Sequence, residues 1–527
     1  MTMEPAIRTS RAALLAAKEL GRAEPLDAIV VGRDVLELVS SAMYIDPMTI
    51  YREYVQNAAD AIEAARHQGI LGASEPGKVS IDIDPATRSI RIRDNGAGVG
   101  NAEFSRRMTA LGASGKRGSN ARGFRGVGRL AGLGYAQELV FRSRAGGDDE
   151  VGELTWDCRK LKTLLREGDG DIESLIRSVA TLKRTPAGDY PEHFFEVELR
   201  GVIRIRSDKL MSPAAVDDYL GQVGPVPFSP DFTFGEEIRA HLAPVVQLGE
   251  IEIYVDGKSE PIYRPHRDRM VQEGMKPISF DRLTLHEISG IDGEPAAVVW
   301  ILDHEYEGAL PNGSGVKGLR LRAGNVQIGD NNLLEELFPE SRFNAWSVGE
   351  VHVIDRKITP NGRRDHFEQN AHYTNLVNQL SPIAREIAKL CRTSSIKRKW
   401  LREADLHRQK IEEALEVFVQ GAIGEKEKAV LSRRTEESFS LAEKALNNSN
   451  FGKVEVENEG RALEELRARY ELFKASPQPK IELPNLNEIE RRSFSRFCDL
   501  VYECSPNAAS ARALIDKIRA RLSEQTA

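Results

Sequence analysis

Apolar and polar residues alternate from Lys78 to Asp84 and again from Ser89 to Arg93, with Pro85-Ala-Thr-Arg88 between the two runs. Period-two alternation on either side of a turn predicts a β-hairpin with one buried face. It delivers Asp94 to the end of the second strand, followed by Asn95-Gly96-Ala97-Gly98. Upstream the period changes. In Tyr51-Arg-Glu-Tyr-Val-Gln-Asn-Ala-Ala-Asp-Ala-Ile62, the polar residues Glu53, Asn57 and Asp60 fall at i, i+4 and i+7. That spacing stacks them along one helical face, while Val55, Ala58, Ala59 and Ile62 lie mostly on other faces and can pack the helix down.

The same patterning organises the rest of the chain. Residues 5–45 read as two helices broken at Gly32-Arg-Asp34, and Leu164 to Leu182 reads as one more helix. Gly146-Gly-Asp-Asp-Glu150 is a turn between strands, and Pro186 to Pro191 is a loop. A helical stretch from about Pro213 ends at Gly224-Pro-Val-Pro-Phe-Ser-Pro-Asp231, whose three prolines cannot continue a helix. Beyond it, Ile251 to Gly257, Ala297 to Leu302 and Leu319 to Leu321 read as strands. Helical character returns at Leu376–Cys391, Lys397–Glu425, Lys426–Asn447 and Ile489–Leu522, with Ile481–Leu486 as a linker. The expectation is an α+β protein of three parts: 1–230, 231–392 and a helical 393–527. The helical part either forms a coiled-coil hairpin that pairs two chains or packs on its own chain.

Three segments carry candidate chemistry. An Asn amide oxygen such as that of Asn57 is a hard ligand suited to Mg²⁺, and a carboxylate one turn earlier, Glu53, can orient or deprotonate a water. An amphipathic helix with a solvated polar face explains the same residues. Asp94 can accept a hydrogen bond from the exocyclic amine of a purine, and Gly96 and Gly98 let the backbone approach a flat ring closely; a surface turn is the plain alternative. The third segment, Arg122-Gly-Phe-Arg-Gly-Val-Gly-Arg-Leu-Ala131, reads as a glycine loop opening a helix. Amides there form an anion site. Leu111 to Asn120, rich in small and basic residues, can fold over a bound group as a lid.

Together, Glu-x-x-x-Asn-x-x-Asp, Asp-x-Gly-x-Gly, a lid and Gly-x-x-Gly-x-Gly resemble the GHKL ATPases, which include DNA gyrase, the ninety-kilodalton heat-shock chaperones, histidine kinases and MutL. The resemblance implies a Bergerat fold, an α/β sandwich binding ATP and Mg²⁺, and a slow ATPase activity. It also implies roles: Glu53 as general base, Asn57 as the Mg²⁺ ligand, Asp60 beside the nucleotide, Asp94 as the adenine reader with Gly96 and Gly98 against the base. Gly123, Gly126, Val127 and Gly128 would lie at the phosphates.

A later stretch, Ile354-Asp-Arg-Lys-Ile-Thr-Pro-Asn-Gly-Arg-Arg-Asp-His-Phe367, resembles the catalytic loop of the heat-shock chaperones' middle domain. It places Arg364 where that family contacts the γ-phosphate, with Lys317 and Lys357 as weaker candidates. Charge builds on those phosphate oxygens during transfer, so a cation there has a physical purpose. A solvated basic turn is the plain alternative. Departures accompany the match. Arg107 stands where the chaperones have Asn, Arg129 where they have an aromatic, and Gly123-Phe-Arg-Gly126 follows the MutL wording. The family's closing Thr, expected near Phe195 to Leu199, is missing, with Thr155 as the substitute at hand.

Composition narrows the partners. The chain has 527 residues, 41% hydrophobic and 29% charged, with a formal net charge of −7. That balance gives no blanket attraction to nucleic acid, so such contact needs a local basic patch. Four scattered cysteines (Cys158, Cys391, Cys498 and Cys504) lack metal-ligand pairing and read as reduced thiols. No apolar run of the ~18 residues a membrane helix needs is present, and no leader is apparent, so a cytoplasmic, non-membrane protein is expected. The resemblance then implies a homodimeric clamp on protein clients. The alternative partner is nucleic acid, in a MutL-like or MORC-like clamp of genome maintenance or phage defence.

Overall fold

The computed structural model describes residues 36, 46–72, 74–111, 128–167, 171–205, 207–271, 276–447, 453–475 and 487–524. The two helices expected over 5–45 (residue 36 apart), most of the lid, Gly123, Gly126, Val127 and the linker at 481–486 lie outside the described residues. The chain divides into two compact units: residues 1–267 with 321–330 and 352–369, and residues 268–320 with 331–351 and 370–527.

The first unit is built on a seven-stranded sheet. Its strands are β1 (Lys78–Asp84), β2 (Ser89–Asp94), β3 (Glu138–Arg144), β4 (Glu150–Asp157), β5 (Ala180–Pro186), β6 (Phe194–Arg200) and β7 (Glu252–Val255), in the order β5-β4-β3-β6-β2-β1-β7. All neighbours are antiparallel except β1 and β7. The hairpin read from the alternation is present, with Ile81 opposite Ile92 and Val79 opposite Asp94. One face carries Ile90, Ile92, Val197 and Leu199, all buried. Against this core pack Ile50, Val55, Ala58 and Ile62 of helix α1 (Thr49–His67). Full burial of a side chain such as Ile62 stabilises the fold by about 1.5–3 kcal/mol.

On the opposite face, Arg142 Nη1 bonds Glu196 at 2.7 Å and Glu198 at 2.8 Å, and its Nε bonds Glu153 at 2.7 Å. Burial works against this guanidinium's charge, and the three carboxylates overcome it and raise its pKa. Helices α2 (Asn101–Thr109), α3 (Cys158–Glu167), α4 (Ile172–Val179), α5 (Pro213–Val223) and α6 (Gly235–Leu242) complete the main body of this unit.

Three expectations give way here. The single helix expected over 164–182 is α3 and α4, followed by β5. Asp171 accepts from Ser174 N–H at 2.9 Å and so starts a new helix, and the Thr-rich stretch after Val179 pairs with β4 instead. The strand at 251–257 does not group with the later strands; it joins β1 in parallel. The glycine loop runs into a 3-10 turn, Gly128–Gly134, and not into an α-helix.

In the second unit, β8 (Arg269–Met270) pairs with β9 (Ile278–Ser279), and β10 (Arg282–Ser289) pairs antiparallel with β11 (Pro295–Asp303). Strands β12 (Gly318–Ala323), β13 (Val326–Ile328) and β14 (Val348–Val353) follow in the chain, with β13 among the residues of the first unit. Helix α7 (Ala371–Gln420) absorbs both of the first two expected tail helices. Arg392-Thr-Ser-Ser-Ile396 holds no glycine or proline to stop it, and it ends at Gly421 with φ 68°. Helices α8 (Glu425–Leu446), α9 (Lys453–Ala475), α10 (Glu488–Cys504) and α11 (Ala508–Glu524) follow, with Pro506 breaking the last expected helix in two. Ile411, Leu415 and Phe418 of α7 share one core with Phe439 and Ala442 of α8 and Tyr470 of α9. These three tail helices share an apolar core within the chain. Among the described residues, no helix is long and apolar enough to cross a membrane.

Candidate functional site

The site begins on α1. Glu53 and Asp60 are each 7% exposed, and Asn57 is half-buried one turn after Glu53. The 3.6-residue period keeps these three on one face, as the sequence requires. Oε1 of Glu53 is buried and has no hydrogen-bond partner among the described residues. The end of the glycine loop meets the same carboxylate, since a Cβ on Gly128 would collide with Glu53 Oε2. Only a residue without a side chain allows that approach.

Tyr54 locks the turn that follows. Its hydroxyl accepts from Gly132 N–H at 2.9 Å and donates to Arg129 O at 3.1 Å. Burial raises this phenol's pKa well above its ordinary value, so it remains a neutral donor and acceptor.

Asp94 ends β2, 5% exposed, and its Oδ1 accepts from Gly96 N–H at 2.8 Å. The loop after it is fixed from several sides. Ala97 N–H donates to Ala61 O at 3.2 Å, His193 Nδ1 lies 2.9 Å from Gly96 O, and Val99 N–H donates to Ser143 Oγ at 2.8 Å. A Cβ on Gly96 would lie 2.7 Å from the Ala61 backbone, and Gly98 adopts φ +68° tight against Arg144 O. Both glycines are therefore demanded by packing as well as by any ring they face. Thr155 lies on β4, with β3 and β6 between it and the strand of Asp94. It cannot take the place of the closing Thr.

Arg364 comes to the same carboxylate from far along the chain. It is 8% exposed, and its Nε lies 3.6 Å from Glu53 Oε1. The loop that carries it is closed by Asn361 N–H to His366 O at 2.9 Å and by Asn361 Nδ2 to Asp365 Oδ1 at 2.6 Å. Sequence reasoning missed Arg52. Its Nη2 donates to Arg363 O at 2.9 Å and lies 3.6 Å from Glu53 Oε1, so it ties this loop to α1. The available signal was a cation directly preceding Glu53, on the flank of the polar face.

The structure thus brings Gly128 and Arg364 to Glu53, keeps Asn57 and Asp60 on the same face of α1, and packs the loop after Asp94, with Gly96, against Ala61 of that helix. The oxygen donors of Glu53, Asn57 and Asp60 are of the hard class that Mg²⁺ takes, and Glu53 Oε1, which lies between two guanidinium groups but accepts no hydrogen bond, leaves acceptor capacity for a water. Among the described residues, no cluster of three or more His, Cys, Asp or Glu side chains forms a ready metal cage.

The family described as histidine kinase-, DNA gyrase B- and HSP90-like ATPase matches residues 47–179, from α1 to the end of α4. Proteins named chaperone protein HtpG are similar to this chain at low identity. The Geobacter metallireducens protein is 24% identical over 207 residues, 35% of this chain and 31% of that protein. The Geobacter sulfurreducens protein is 23% identical over 341 residues, 58% of this chain and 49% of that protein. The Methylorubrum populi protein is 27% identical over 213 residues, 36% of this chain and 33% of that protein. The chain spans between 31% and 49% of the length of these relatives.

Proposed function

We propose, from the match of residues 47–179 to the histidine kinase-, DNA gyrase B- and HSP90-like ATPase family, an ATP-driven conformational clamp, similar to the heat-shock chaperones, acting on protein clients. The observation that carries this reading is the meeting of Glu53 with Gly128 and Arg364. A phosphate-loop end and a cation converge on one carboxylate, the candidate base, which suits in-line transfer of a γ-phosphoryl group to water.

In this reading Asp94 takes the adenine amine, with Gly96 and Gly98 against the base. Asn57 holds Mg²⁺, which supplies neutralising charge at the phosphates, and Asp60 orders the water around it. Gly123, Gly126, Val127 and Gly128 present amides to the phosphates. Glu53 accepts the proton of the attacking water, and Arg364 stabilises charge on the γ-phosphate oxygens. The parts 1–230, 231–392 and 393–527 would act as nucleotide, catalytic-loop and helical domains of a cytoplasmic homodimer. That the relatives are named chaperones supports the client class.

One observation favours a second reading, a clamp on nucleic acid. From Ile387 to Arg402, α7 carries Lys389, Arg392, Lys397, Arg398, Lys399 and Arg402 with no acidic residue between them. Phosphate backbones are bound through such runs, with a strong salt dependence.

Steady-state ATP hydrolysis by the full chain separates these ideas. Wild type should turn over ATP, Glu53→Ala should bind without turnover, and Asp94→Asn should not bind. Normal ATP binding by Asp94→Asn would sink the adenine assignment. Stimulation by unfolded protein alone supports the chaperone reading, whereas stimulation by DNA that vanishes as salt rises supports the nucleic-acid clamp.

A further inference from the structure

Two buried arginines meet on one hairpin of the first unit, within residues 321–330. Gly324 and Asn325 join β12 to β13 at φ 57° and 64°, with Ala323 opposite Val326. Two successive left-handed residues make a tight turn whose twist suits the strands on either side. Arg322, which leads into this turn, is 1% exposed, and Asn325 is 0% exposed.

Arg322 Nη2 donates to Gln222 O at 2.6 Å, and its Nη1 donates to Gly224 O at 3.2 Å and to Asn325 O at 3.0 Å. Gln222 and Gly224 stand at the C-terminal end of α5, where carbonyls lack intrahelical donors and the helix dipole is negative. Arg264 adds to the same joint, with Nε on Val226 O at 3.0 Å and Nη2 on Asn325 Oδ1. Asn325 Nδ2 in turn donates to Leu248 O at 2.8 Å. A guanidinium withdrawn from water is costly unless its donors are met, and one met from several directions has a single place to sit. The hairpin is therefore pinned to the end of α5.

Both ends of this connection reach Glu53. Val216 and Leu220 of α5 share a core with Ile50 and Val55 of α1, and the Tyr51 hydroxyl donates to Leu210 O at 2.7 Å, shortly before α5. At the other end, Gly329 follows β13 and donates its N–H to Arg364 O at 2.9 Å. Carboxylate and cation thus belong to one closed frame, which runs from α1 through α5 and the hairpin to the Arg364 loop.

We infer that Arg322 is a positioning residue for Arg364. By pinning the hairpin to α5, it sets the separation of the Arg364 guanidinium from the Glu53 carboxylate. With the pin removed, the Arg364 loop keeps its tie from Arg52 to Arg363 O and loses a fixed partner at Gly329. The consequence for turnover rests on the ATPase reading; the geometry does not.

The test therefore has two arms on the full chain. The first measures the distance between spin labels on His67→Cys and Arg363→Cys, both exposed sites, in a Cys504→Ser background. Labels on His67→Cys and Asp82→Cys, away from the hairpin, form the control pair. Arg322→Ala should broaden the first distance distribution and leave the control unchanged. The second arm is ATP hydrolysis. Arg322→Ala should lower kcat about tenfold with KM within about twofold of wild type. In an Arg364→Ala background it should lower kcat no further, because the positioned group is gone. An unchanged first distribution overturns the inference, and so does equal broadening of both pairs, which would mark general loosening. An undiminished kcat loss in the Arg364→Ala background overturns it as well. Selective broadening in a protein that hydrolyses no ATP supports the positioning role and sinks the ATPase reading instead. Should Arg322→Ala not fold, Asn325→Gly is read in the same way, since it keeps the turn and frees it from Arg264 and Leu248.

Discussion

Arg364 Nε stands 3.6 Å from Glu53 Oε1, while the carbonyl of the same arginine accepts from Gly329 N–H at 2.9 Å. Arg364 also occupies φ 56°, the left-handed region that costs a residue with a Cβ about 1–2 kcal/mol. The backbone is thus held in an unfavourable conformation that delivers the guanidinium to the carboxylate. Strain of this kind gathers at functional sites. Replacing Arg364 by Ala keeps the strain and removes the cation; replacing it by Gly removes both. ATP turnover should fall by about 10²-fold in each variant, with Arg364→Gly the more stable of the two to urea. Equal turnover in wild type and both variants would argue against Arg364 as a γ-phosphate contact.

Gly128 gives a second handle on the same carboxylate. A methyl group there would meet Glu53 Oε2, so Gly128→Ala must displace either the base or the loop end. A shift of about 1 Å in a reacting group is enough to lower turnover by about 10²-fold. Gly146, with nothing within 4 Å of its notional Cβ, serves as the control. Steady-state assays should show Gly128→Ala impaired and Gly146→Ala unchanged. Full activity in Gly128→Ala would mean that the approach of loop and carboxylate is not used.

Much of this was legible in the sequence because it is set by local periods. The 3.6 period placed Glu53, Asn57 and Asp60 together, and the period of two delivered Asp94 to the strand end. The glycines announced their own close contacts. What stayed hidden depends on contacts distant in sequence. Nothing local tells that β7 pairs with β1 across more than 150 residues, or that Arg52 ties down the loop of Arg364 from 311 residues away. Propensity also misled where tertiary pairing overrides it. The run after Val179 has residues compatible with a helix, but the free edge of β4 takes it as a strand.

Cysteine reactivity follows from burial. Cys158, Cys391 and Cys498 are buried and Cys504 is exposed. Burial pushes the Cys158 and Cys391 thiols up to about 12 and Cys498 to about 11, which leaves almost no thiolate near neutral pH. In the native protein a thiol-exchange reagent should label one cysteine quickly, Cys504, and the other three only after denaturation. Mass mapping of the labelled peptide provides the check. Rapid native labelling of Cys498 would mean that α10 opens away from its core.

His304 makes the stability of the second unit depend on pH. Its Nδ1 accepts from Tyr306 N–H at 3.1 Å, so the single proton of the neutral ring sits on Nε2, which donates to Trp346 O at 2.8 Å. A second proton on Nδ1 would face an N–H group. Burial lowers this histidine's pKa below its ordinary 6.5, although Trp346 O and the carboxylates of Asp303, Asp281 and Glu305 pull the other way. The unfolded chain therefore takes up the proton more readily than the folded one. The stabilisation is whole above 6.5 and is lost as the pH falls from there through the lower folded-state value. The melting temperature should drop between about pH 7.5 and pH 5.5, and the drop should be smaller in His304→Gln, which does not titrate in that window. Melting curves of the two proteins at both pH values decide the point. An equal drop in both would assign the pH dependence to other groups.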